Sequence, residues 1–189
     1  MDFGSVVAVD TETMGLVTLR DRLCVVQLSA GDGHCHVVHL TRALDCPNVK
    51  ALLGRADVTK VFHFARFDLA AIQHYLGVVA APVFCTKIAS RLTRTNVDRH
   101  GLKDLCRDLL GIEISKQQQV SDWGADTLSQ AQIEYAASDV LHLHALKAKL
   151  DVLLDREGRR PLAEACFRFL PDRAALDLVG WGEEDVFSH

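Results

Sequence analysis

The sequence of 189 residues lacks several features that mark membrane, secreted and zinc-binding proteins. No apolar run approaches the roughly 18 residues that a membrane-spanning helix needs, so no span is expected. The opening residues, MDFGSVVAVD, have no basic segment followed by an apolar stretch and a cleavage site, so we expect a cytoplasmic protein. The six cysteines form no C-x-x-C pair, so neither a disulfide framework nor a zinc site is expected.

An excess of positive charge is also missing. The net charge is −4, from 25 acidic and 21 basic residues, whereas proteins that wrap long nucleic acids usually carry a basic surface. If four of the acids are metal ligands, the remaining 21 acids balance the basic residues. A nearly neutral protein of this kind suits a small anionic substrate better than a long polyanion.

The order of the predicted strands and helices indicates an α/β fold. Three β-branched stretches at 5–11, 23–29 and 35–40 are joined by short turns, which predicts an antiparallel meander. Helices and strands then alternate, as expected for a mixed sheet flanked by helices in one domain, residues 1–189. The other predicted elements are a helix beginning near Pro47, a strand at 60–64, a helix at 65–76 ended by Gly77, a short strand and helix in PVFCTKIASRL, a helix ended by Gly111, and a helix from about 130 to 155 with a capping box of Ser129 and Gln132.

Two carboxylates stand where the first strand should continue as an apolar run, in VVAVDTETMGL. Residues two apart on a strand share a face, so Asp10 and Glu12 are neighbours. Two like charges at the end of a buried strand repel each other and are costly to remove from water, unless a cation compensates them or a pKa rises. The alternative is a solvated pair at a strand end, and D-x-E alone does not decide between the two.

Two predicted helices also carry an acid on their apolar face. Asp68 lies in the apolar stripe of the helix at 65–76, although a residue in the first helical turn can instead serve the helix N-terminus. Asp139 lies one turn after Tyr135 and in line with the leucines of the helix at 130–155. The alternative for this pair is a tyrosine hydroxyl bonded to a buried aspartate.

A shared divalent metal site explains all of these acids at once. Oxygen ligands suit hard cations, so Mg²⁺ or Mn²⁺ is expected rather than zinc. Two cations about 3.5–4 Å apart would clamp the attacking and leaving oxygens of a phosphodiester displacement.

Three motifs, D-T-E-T, H-F-A-R-F-D and Y-A-A-S-D, resemble in this order the exonuclease motifs of the DEDD family, in the subclass whose third motif is Tyr-x-x-x-Asp. The segments DRLCVVQLS, HGLKDL and SDWGADTLSQAQIEYAASDVLHLHAL are similar to the ribonuclease D group, and the tail CFRFLPDRAALDLVGWGEEDVF is most similar to the nano-RNase C proteins. The resemblance implies a ribonuclease-H-like fold and 3′→5′ exonuclease activity. The C-terminal helical module of full-length ribonuclease D is not seen, so processing of large structured RNA is not expected.

The same resemblance implies a role for each catalytic residue. Asp10 would bridge two cations, Mg²⁺ or Mn²⁺, and Glu12 and Asp139 would hold the cation that carries the nucleophilic water. Asp68 would bind the second cation, and Tyr135 would orient the water. Because a tyrosine hydroxyl with an ordinary pKa of about 10 is a weak base, the metal must do most of the deprotonation.

Candidate substrate contacts surround these acids in the sequence. Leu16 either wedges against the terminal base, as an apolar residue does in similar exonucleases, or anchors its turn to the core. The basic run at 91–103 either meets substrate phosphates or forms a solvated or interface surface. Trp123 either stacks a base or packs on the core. His63 and Arg66, which flank Asp68, either contact the substrate or order the site. The other candidates are Thr11 beside the acids, Arg91, Arg94, Arg99, His100 and Lys103 in the basic run, and Lys116 and Gln119 in the loop before Trp123.

The C-terminal segment, about 160–189, is unusually apolar for a chain end, which predicts an interface. The resemblance to nano-RNase C implies a ring-like homo-octamer, in which neighbouring subunits narrow the access to each site.

The sequence therefore predicts a two-metal 3′→5′ exoribonuclease that cleaves short single-stranded oligoribonucleotides, especially dinucleotides, to nucleoside 5′-monophosphates. The alternative is a broader exonuclease of the ribonuclease D kind, acting on longer single-stranded RNA or DNA. A non-catalytic nucleic-acid-binding domain is disfavoured, because all four acids are present.

Overall fold

Five strands form one mixed sheet in the computed structural model, which describes residues 3–115 and 121–188. The strands are β1 (Val6–Thr13), β2 (Leu23–Ser29), β3 (His36–His39), β4 (Thr59–Phe62) and β5 (Val83–Cys85). Their order across the sheet is β3-β2-β1-β4-β5. The first three strands pair antiparallel, while β4 and β5 run parallel to β1. This arrangement confirms the predicted meander and the mixed sheet.

Helices pack around this sheet. They are α1 (Pro47–Gly54), α2 (Ala65–Leu76), α3 (Thr86–Thr93), α4 (Leu102–Leu105) continued by a π-helical turn (Cys106–Leu110), α5 (Gln130–Leu141), α6 (Leu143–Arg156) and α7 (Arg160–Leu178). Gly77 and Gly111 follow their helices in the left-handed conformation, as the sequence predicts. Among the described residues, no helix combines the length and the apolar character that crossing a membrane would require.

The centre of the sheet explains why β1 can hold functional groups rigidly. Val7, Ala8 and Val9 are fully buried, and every residue of β2 is buried. Because β1 lies between β2 and β4, both of its edges are hydrogen-bonded within the sheet. The carboxyl end of β1 continues from this core and pairs with β2, whereas β4 pairs with Val6, Val7 and Ala8.

The long helix predicted at about 130–155 is two helices. The capping box is present: Ser129 accepts a hydrogen bond from the Gln132 backbone N–H, and the Gln132 side chain accepts one from the Ser129 backbone N–H. The helix then breaks at His142, with φ −101° and ψ −6°. The break lets α5 pack on β1, β2 and β3 while α6 packs against α3, α7 and β4. A single straight helix could not cover both surfaces.

Most of the C-terminal segment is a helix that the sequence analysis did not predict. Phe167, Leu170 and Ala174 of α7 are buried, and the helix packs against α2 and β5. Much of the apolar character of this segment therefore belongs to the core. Beyond α7, Val179 and Phe187 are 71% and 74% exposed.

The strand predicted at 60–64 ends at Phe62, earlier than expected. Phe64 has φ 68°, in the left-handed region, and directly precedes α2. A non-glycine residue with this backbone is strained and is usually held by its surroundings. The turn places His63 and Phe64 at the sheet edge where β1 also ends.

Candidate active site

Asp10 and Glu12 lie in the carboxyl-terminal half of β1, within the strand itself. They share one face of the sheet, where Asp10 is opposite Gln27 and Glu12 is opposite Val25 on β2. The register shifts between Glu12 and Thr13, so the regular pairing ends directly after the two acids. The spacing of two residues therefore makes them neighbours, as predicted.

Asp139 on α5 joins these two acids. Carboxylate oxygens of Asp10, Glu12 and Asp139 lie within 4.8 Å of one another. The contact follows from the packing of α5 on β1, because Asp139 is on the face that meets the sheet. Two distant parts of the chain thus deliver three carboxylates to one point.

Asp68 lies beside this cluster but outside the group of three. Its side chain is buried, and the Thr11 hydroxyl donates a 2.6 Å hydrogen bond to its Oδ1. Thr11 points to the opposite face of β1 from Asp10, so the strand contacts Asp68 on one side and carries the acid pair on the other. Asp68 is close enough to raise the pKa of both Asp10 and Glu12 by charge repulsion.

The pKa values of these acids show that their charges are uncompensated. Burial first, and then repulsion from Asp68, Asp139 and Glu12, raises the pKa of Asp10 well above its ordinary value. Burial and the aspartates raise the pKa of Glu12 to about 9. Burial raises the pKa of Asp68 to about 7, although the Thr11 hydrogen bond lowers it. Carboxylates held together in this way are hard oxygen donors that fit a divalent cation.

Tyr135 lies one turn before Asp139 on α5 and hydrogen-bonds to its carboxylate. Burial and the surrounding carboxylates raise the pKa of the tyrosine hydroxyl above its ordinary value. The hydroxyl therefore keeps its proton at neutral pH in the metal-free protein.

A cleft of about 560 Å³ opens over the acids. The turn after β1 forms part of its wall and carries Leu16, whose side chain is 87% exposed. Leu16 therefore does not anchor the turn to the core. Asp21 organises the turn instead, because its carboxylate accepts a 2.9 Å hydrogen bond from the Val17 backbone N–H. A side chain on Gly15 would place its Cβ 2.4 Å from Asp21 Oδ2, so the Asp21 carboxylate would have to move.

Two further candidates, His63 and Trp123, both border the cleft but differ in what they contact. His63 lines it, and its Nδ1 is 2.9 Å from the Thr86 hydroxyl. Trp123 also borders the cleft but is only 2% exposed, and it packs with Val25 and Ala136. A ring this buried has no open face for a base, so the structure supports packing on the core and corrects the stacking prediction.

The arginine candidates do not line the cleft. Arg66 donates two hydrogen bonds to Asp177, of 2.7 and 2.6 Å, and a third to the Gly182 carbonyl. Its predicted substrate contact is replaced by a link between α2 and the C-terminal segment. In the basic run, Arg94 pairs with Asp108 at 2.6 Å, and His100 bonds to Ser90. Arg91 and Arg99 are exposed. Of the five basic candidates, Lys103 is the one that borders the cleft. Lys116 and Gln119 lie outside the described residues.

The cleft is also lined by Lys87 and Phe64, which were not predicted from the sequence. The Lys87 Nζ lies 4.0 Å from the centroid of the Phe64 ring. Lys87 follows β5, and the carboxyl ends of parallel strands meet at one edge of a sheet. Lys87 could have been predicted from the sequence, because it directly follows a predicted strand. No pattern in the sequence predicted Phe64 at the cleft, because its exposure depends on the left-handed turn before α2.

The fold and the acidic cleft together define a class of protein. A family model described as 3′-5′ exonuclease matches residues 2–155, more than half of the chain. The chain belongs to this 3′-5′ exonuclease family. The match confirms the resemblance to DEDD exonucleases drawn from the three motifs.

Two solved structures of NrnC from Brucella melitensis are particularly similar. The chain is 58% identical to NrnC bound to pGG, with a TM-score of 0.95, and 57% identical to NrnC with bound Mg²⁺, with a TM-score of 0.94. In both cases the match covers 98% of this chain and 90% of the other. The predicted likeness to nano-RNase C is thereby confirmed.

Ribonuclease D proteins are more distant relatives. The chain is 37% identical to ribonuclease D of Gluconacetobacter diazotrophicus over 170 residues, which cover 90% of this chain and 43% of that protein. It is 27% identical to Escherichia coli RNase D, with a TM-score of 0.78, over 90% of this chain and 45% of the other. These matches confirm the ribonuclease-H-like fold. The chain spans less than half the length of these two relatives.

Proposed function

We propose that this protein is a divalent-metal-dependent 3′→5′ exoribonuclease that cleaves short oligoribonucleotides, and dinucleotides in particular, to nucleoside 5′-monophosphates. The observation that carries the proposal is the cluster of Asp10, Glu12 and Asp139 at the floor of an open cleft. NrnC, at 58% identity, has been solved with pGG, which supports a dinucleotide substrate.

The acids would hold the cations by their own oxygens. Asp10, Glu12 and Asp139 lie close enough to share one cation, and we assign Asp68, on the other side of Thr11, to a second. Bound Mg²⁺ or Mn²⁺ would acidify a water and neutralise charge on the phosphodiester. The Mg²⁺-bound structure of NrnC supports magnesium.

Tyr135 and Asp139 prepare the water for attack. The tyrosine hydroxyl is protonated and bonded to Asp139, so it is placed to orient the attacking oxygen by hydrogen bonding. In the reaction, the water oxygen forms a bond to phosphorus and the bond between phosphorus and the 3′ oxygen breaks. The water gives up a proton to the solvent, the leaving 3′ oxygen takes one up, and the released nucleotide keeps its phosphate on the 5′ carbon.

The walls of the cleft favour a short substrate. Leu16 projects from one wall as an exposed apolar side chain that can wedge against the terminal base. Lys87 and Lys103 supply positive charge on the lining for a substrate phosphate. A volume of about 560 Å³ lies in the range of small-molecule sites, roughly 300–1,000 Å³.

Self-association belongs to the same proposal. Exposed apolar side chains follow α7, among them Val179, Trp181 and Phe187. A surface of this kind fits contacts between copies of the chain. We propose a homo-oligomer, with the octamer of the nano-RNase C type as the expected size.

A length series tests this function. Purified protein is incubated with 5′-phosphorylated RNA and DNA oligomers of two to about twenty residues, with Mg²⁺, Mn²⁺ or EDTA. We expect fastest cleavage of ribose dinucleotides, no cleavage in EDTA, and an octameric mass by light scattering of the same sample. The Asp10→Asn variant is the inactive control.

The second candidate function is a broader exonuclease acting on longer single strands, which the 37% identity to a ribonuclease D favours. Intact dinucleotides beside trimmed twenty-residue strands would establish this reading and remove the short-substrate proposal. Comparable rates on ribose and deoxyribose oligomers would remove the RNA preference.

A further inference from the structure

One buried side chain next to the acids has no hydrogen-bond partner. Gln27 on β2 is 0% exposed, and neither its Oε1 nor its Nε2 is bonded to any described residue. Leaving a buried polar group unpaired costs about 1–3 kcal/mol. Such groups are uncommon in folded proteins, and each calls for a physical reason.

The strand register places Gln27 directly opposite Asp10. In the antiparallel pair of β1 and β2 their Cα positions are partners, so both side chains leave the sheet on the same face. Side chains opposite each other in this way have Cβ atoms about 4.5–5.5 Å apart, within reach of a long side chain. Asp10 is therefore the charged neighbour across the strand pair.

Apolar side chains lie on the same face of the sheet as Gln27. On β3 its register partner is Val37. The same face is covered by α5, since Val25 packs with Ala136, and Val37 and Tyr135 pack against them. Apolar side chains cannot accept a hydrogen bond from the Gln27 amide. The Asp10 carboxylate, directly opposite on β1, can accept one.

We propose that Gln27 is a positioning residue for Asp10: its amide donates a hydrogen bond to the Asp10 carboxylate in the metal-loaded protein and fixes the orientation of that ligand. The inference rests on the proposed function, because it assigns Asp10 to the metal site. The free amide in the structure is the donor that the ionised carboxylate uses once a cation binds.

An uncharged donor suits this position for an electrostatic reason. An arginine or lysine would neutralise Asp10 and compete with the cation, whereas an amide stabilises the ionised carboxylate and leaves its charge available. Hydrogen-bond partners of metal ligands typically contribute 10–100-fold to metal affinity or activity. Loss of the Gln27 amide should therefore weaken metal binding without weakening the fold.

The test measures binding of Mn²⁺ alone to the metal-free full chain, from the electron paramagnetic resonance signal of free Mn²⁺. Gln27→Met keeps nearly the same shape and removes the donor. We expect its Mn²⁺ dissociation constant to rise about tenfold or more. The melting temperature of the metal-free variant should stay equal or rise, since an unpaired buried amide is removed.

Gln132 provides the matched control, because it is a buried glutamine whose amide is already bonded. Its Nε2 donates a 3.0 Å hydrogen bond to the Asp122 carbonyl. Gln132→Met should lower the melting temperature and leave the Mn²⁺ dissociation constant unchanged. If Gln27→Met does not fold, Gln27→Leu provides the same measurement.

The outcomes separate this inference from the proposed function. If the wild-type protein binds Mn²⁺ and cleaves dinucleotides, and the Gln27 variants bind Mn²⁺ equally well, the positioning role is wrong and the function stands. If the wild-type protein binds no Mn²⁺, both fall. Weaker Mn²⁺ binding at unchanged stability supports the positioning role.

Discussion

Two groups of acids in this protein are built on opposite principles. At the junction of α2 and α7, Asp177 receives two hydrogen bonds from Arg66 and one of 2.8 Å from Arg173. At the carboxyl end of β1, Asp10 and Glu12 are surrounded by further carboxylates, and their pKa values are raised. Both groups join distant segments, but only in the first is the negative charge compensated by basic side chains of the chain itself.

The difference separates a structural contact from a site. The Asp177 group is complete within the folded chain and joins α2 to the C-terminal segment. The Asp10 group costs stability in the folded chain, because its members repel each other and are partly removed from water. An arrangement of this kind needs a cation from outside, so it is the place where metal binding and chemistry are expected.

The largest expected effect is at Asp10. Asp10→Asn removes a metal ligand, and since bound metal contributes several kcal/mol to the transition state, activity should fall roughly 10³-fold or more. The metal-free variant should melt at an equal or higher temperature, because a repelling charge is lost. Cleavage of a dinucleotide and thermal unfolding in EDTA measure the two quantities. Wild-type activity in this variant would remove Asp10 from the site.

Replacing Tyr135 comes next. Tyr135→Phe removes one hydroxyl and keeps the ring, so the fold should be retained while the rate of cleavage falls about 10²-fold. Single-turnover rates with saturating Mg²⁺ are the measurement, with Mn²⁺ affinity as the control. Full activity would show that the tyrosine hydroxyl only forms a hydrogen bond with Asp139 and has no role in cleavage.

A change of pH should distinguish the two groups without mutation. The folded pKa values of Glu12 and Asp68, about 9 and about 7, exceed the ordinary values of 4.5 and 3.8, so the folded state binds more protons than the unfolded state. This stabilising contribution is complete below about pH 4 and is lost as the pH rises through 7 towards 9. The metal-free protein should therefore lose several degrees of melting temperature between about pH 5 and pH 8.

Added Mg²⁺ should restore this loss, and more so at pH 8 than at pH 5, because protons and the cation compete for the same oxygens. Glu12→Gln is the control and should flatten the curve in EDTA. Lys60 acts with the opposite sign, since burial lowers its pKa to about 8, and its contribution appears above that pH. If the melting temperature of the metal-free wild-type protein did not change with pH, the inference that the acids carry uncompensated charge would be wrong.

The smallest effect is expected at the paired acid. Asp177→Asn weakens the bonds to Arg66 and Arg173, which are partly exposed, so the loss should be about 1 kcal/mol. For a chain of this size that corresponds to a fall of roughly 2–4 °C in melting temperature. Activity per folded molecule should be unchanged. If Asp177→Asn lost as much activity as Asp10→Asn, the distinction between a structural contact at Asp177 and a site at Asp10 would be wrong.

Local signals in the sequence predicted the features that depend on nearby residues. The capping box of Ser129 and Gln132 spans only four residues, and the shared face of Asp10 and Glu12 follows from the period of a strand. The alignment of Tyr135 with Asp139 follows from the period of a helix. These predictions needed no knowledge of where the rest of the chain lies.

Contacts between distant segments decided the features that were missed. Arg66 was predicted to contact the substrate or to order the site, and in the structure it bonds to Asp177, which is 111 residues away. The break at His142 depends on the different surfaces that α5 and α6 cover. The two alternatives for Trp123, stacking on a base or packing on the core, stayed open because its burial by Val25 and Ala136 cannot be read from its neighbours in the sequence.

The sequence by itself determined that acids occupy apolar positions in three segments, because periodicity is a local property of strands and helices. Only the tertiary structure decided that Asp10, Glu12 and Asp139 meet within 4.8 Å while Asp68 lies across Thr11. Distances between segments arise from how α2 and α5 pack on β1, and packing depends on the whole core.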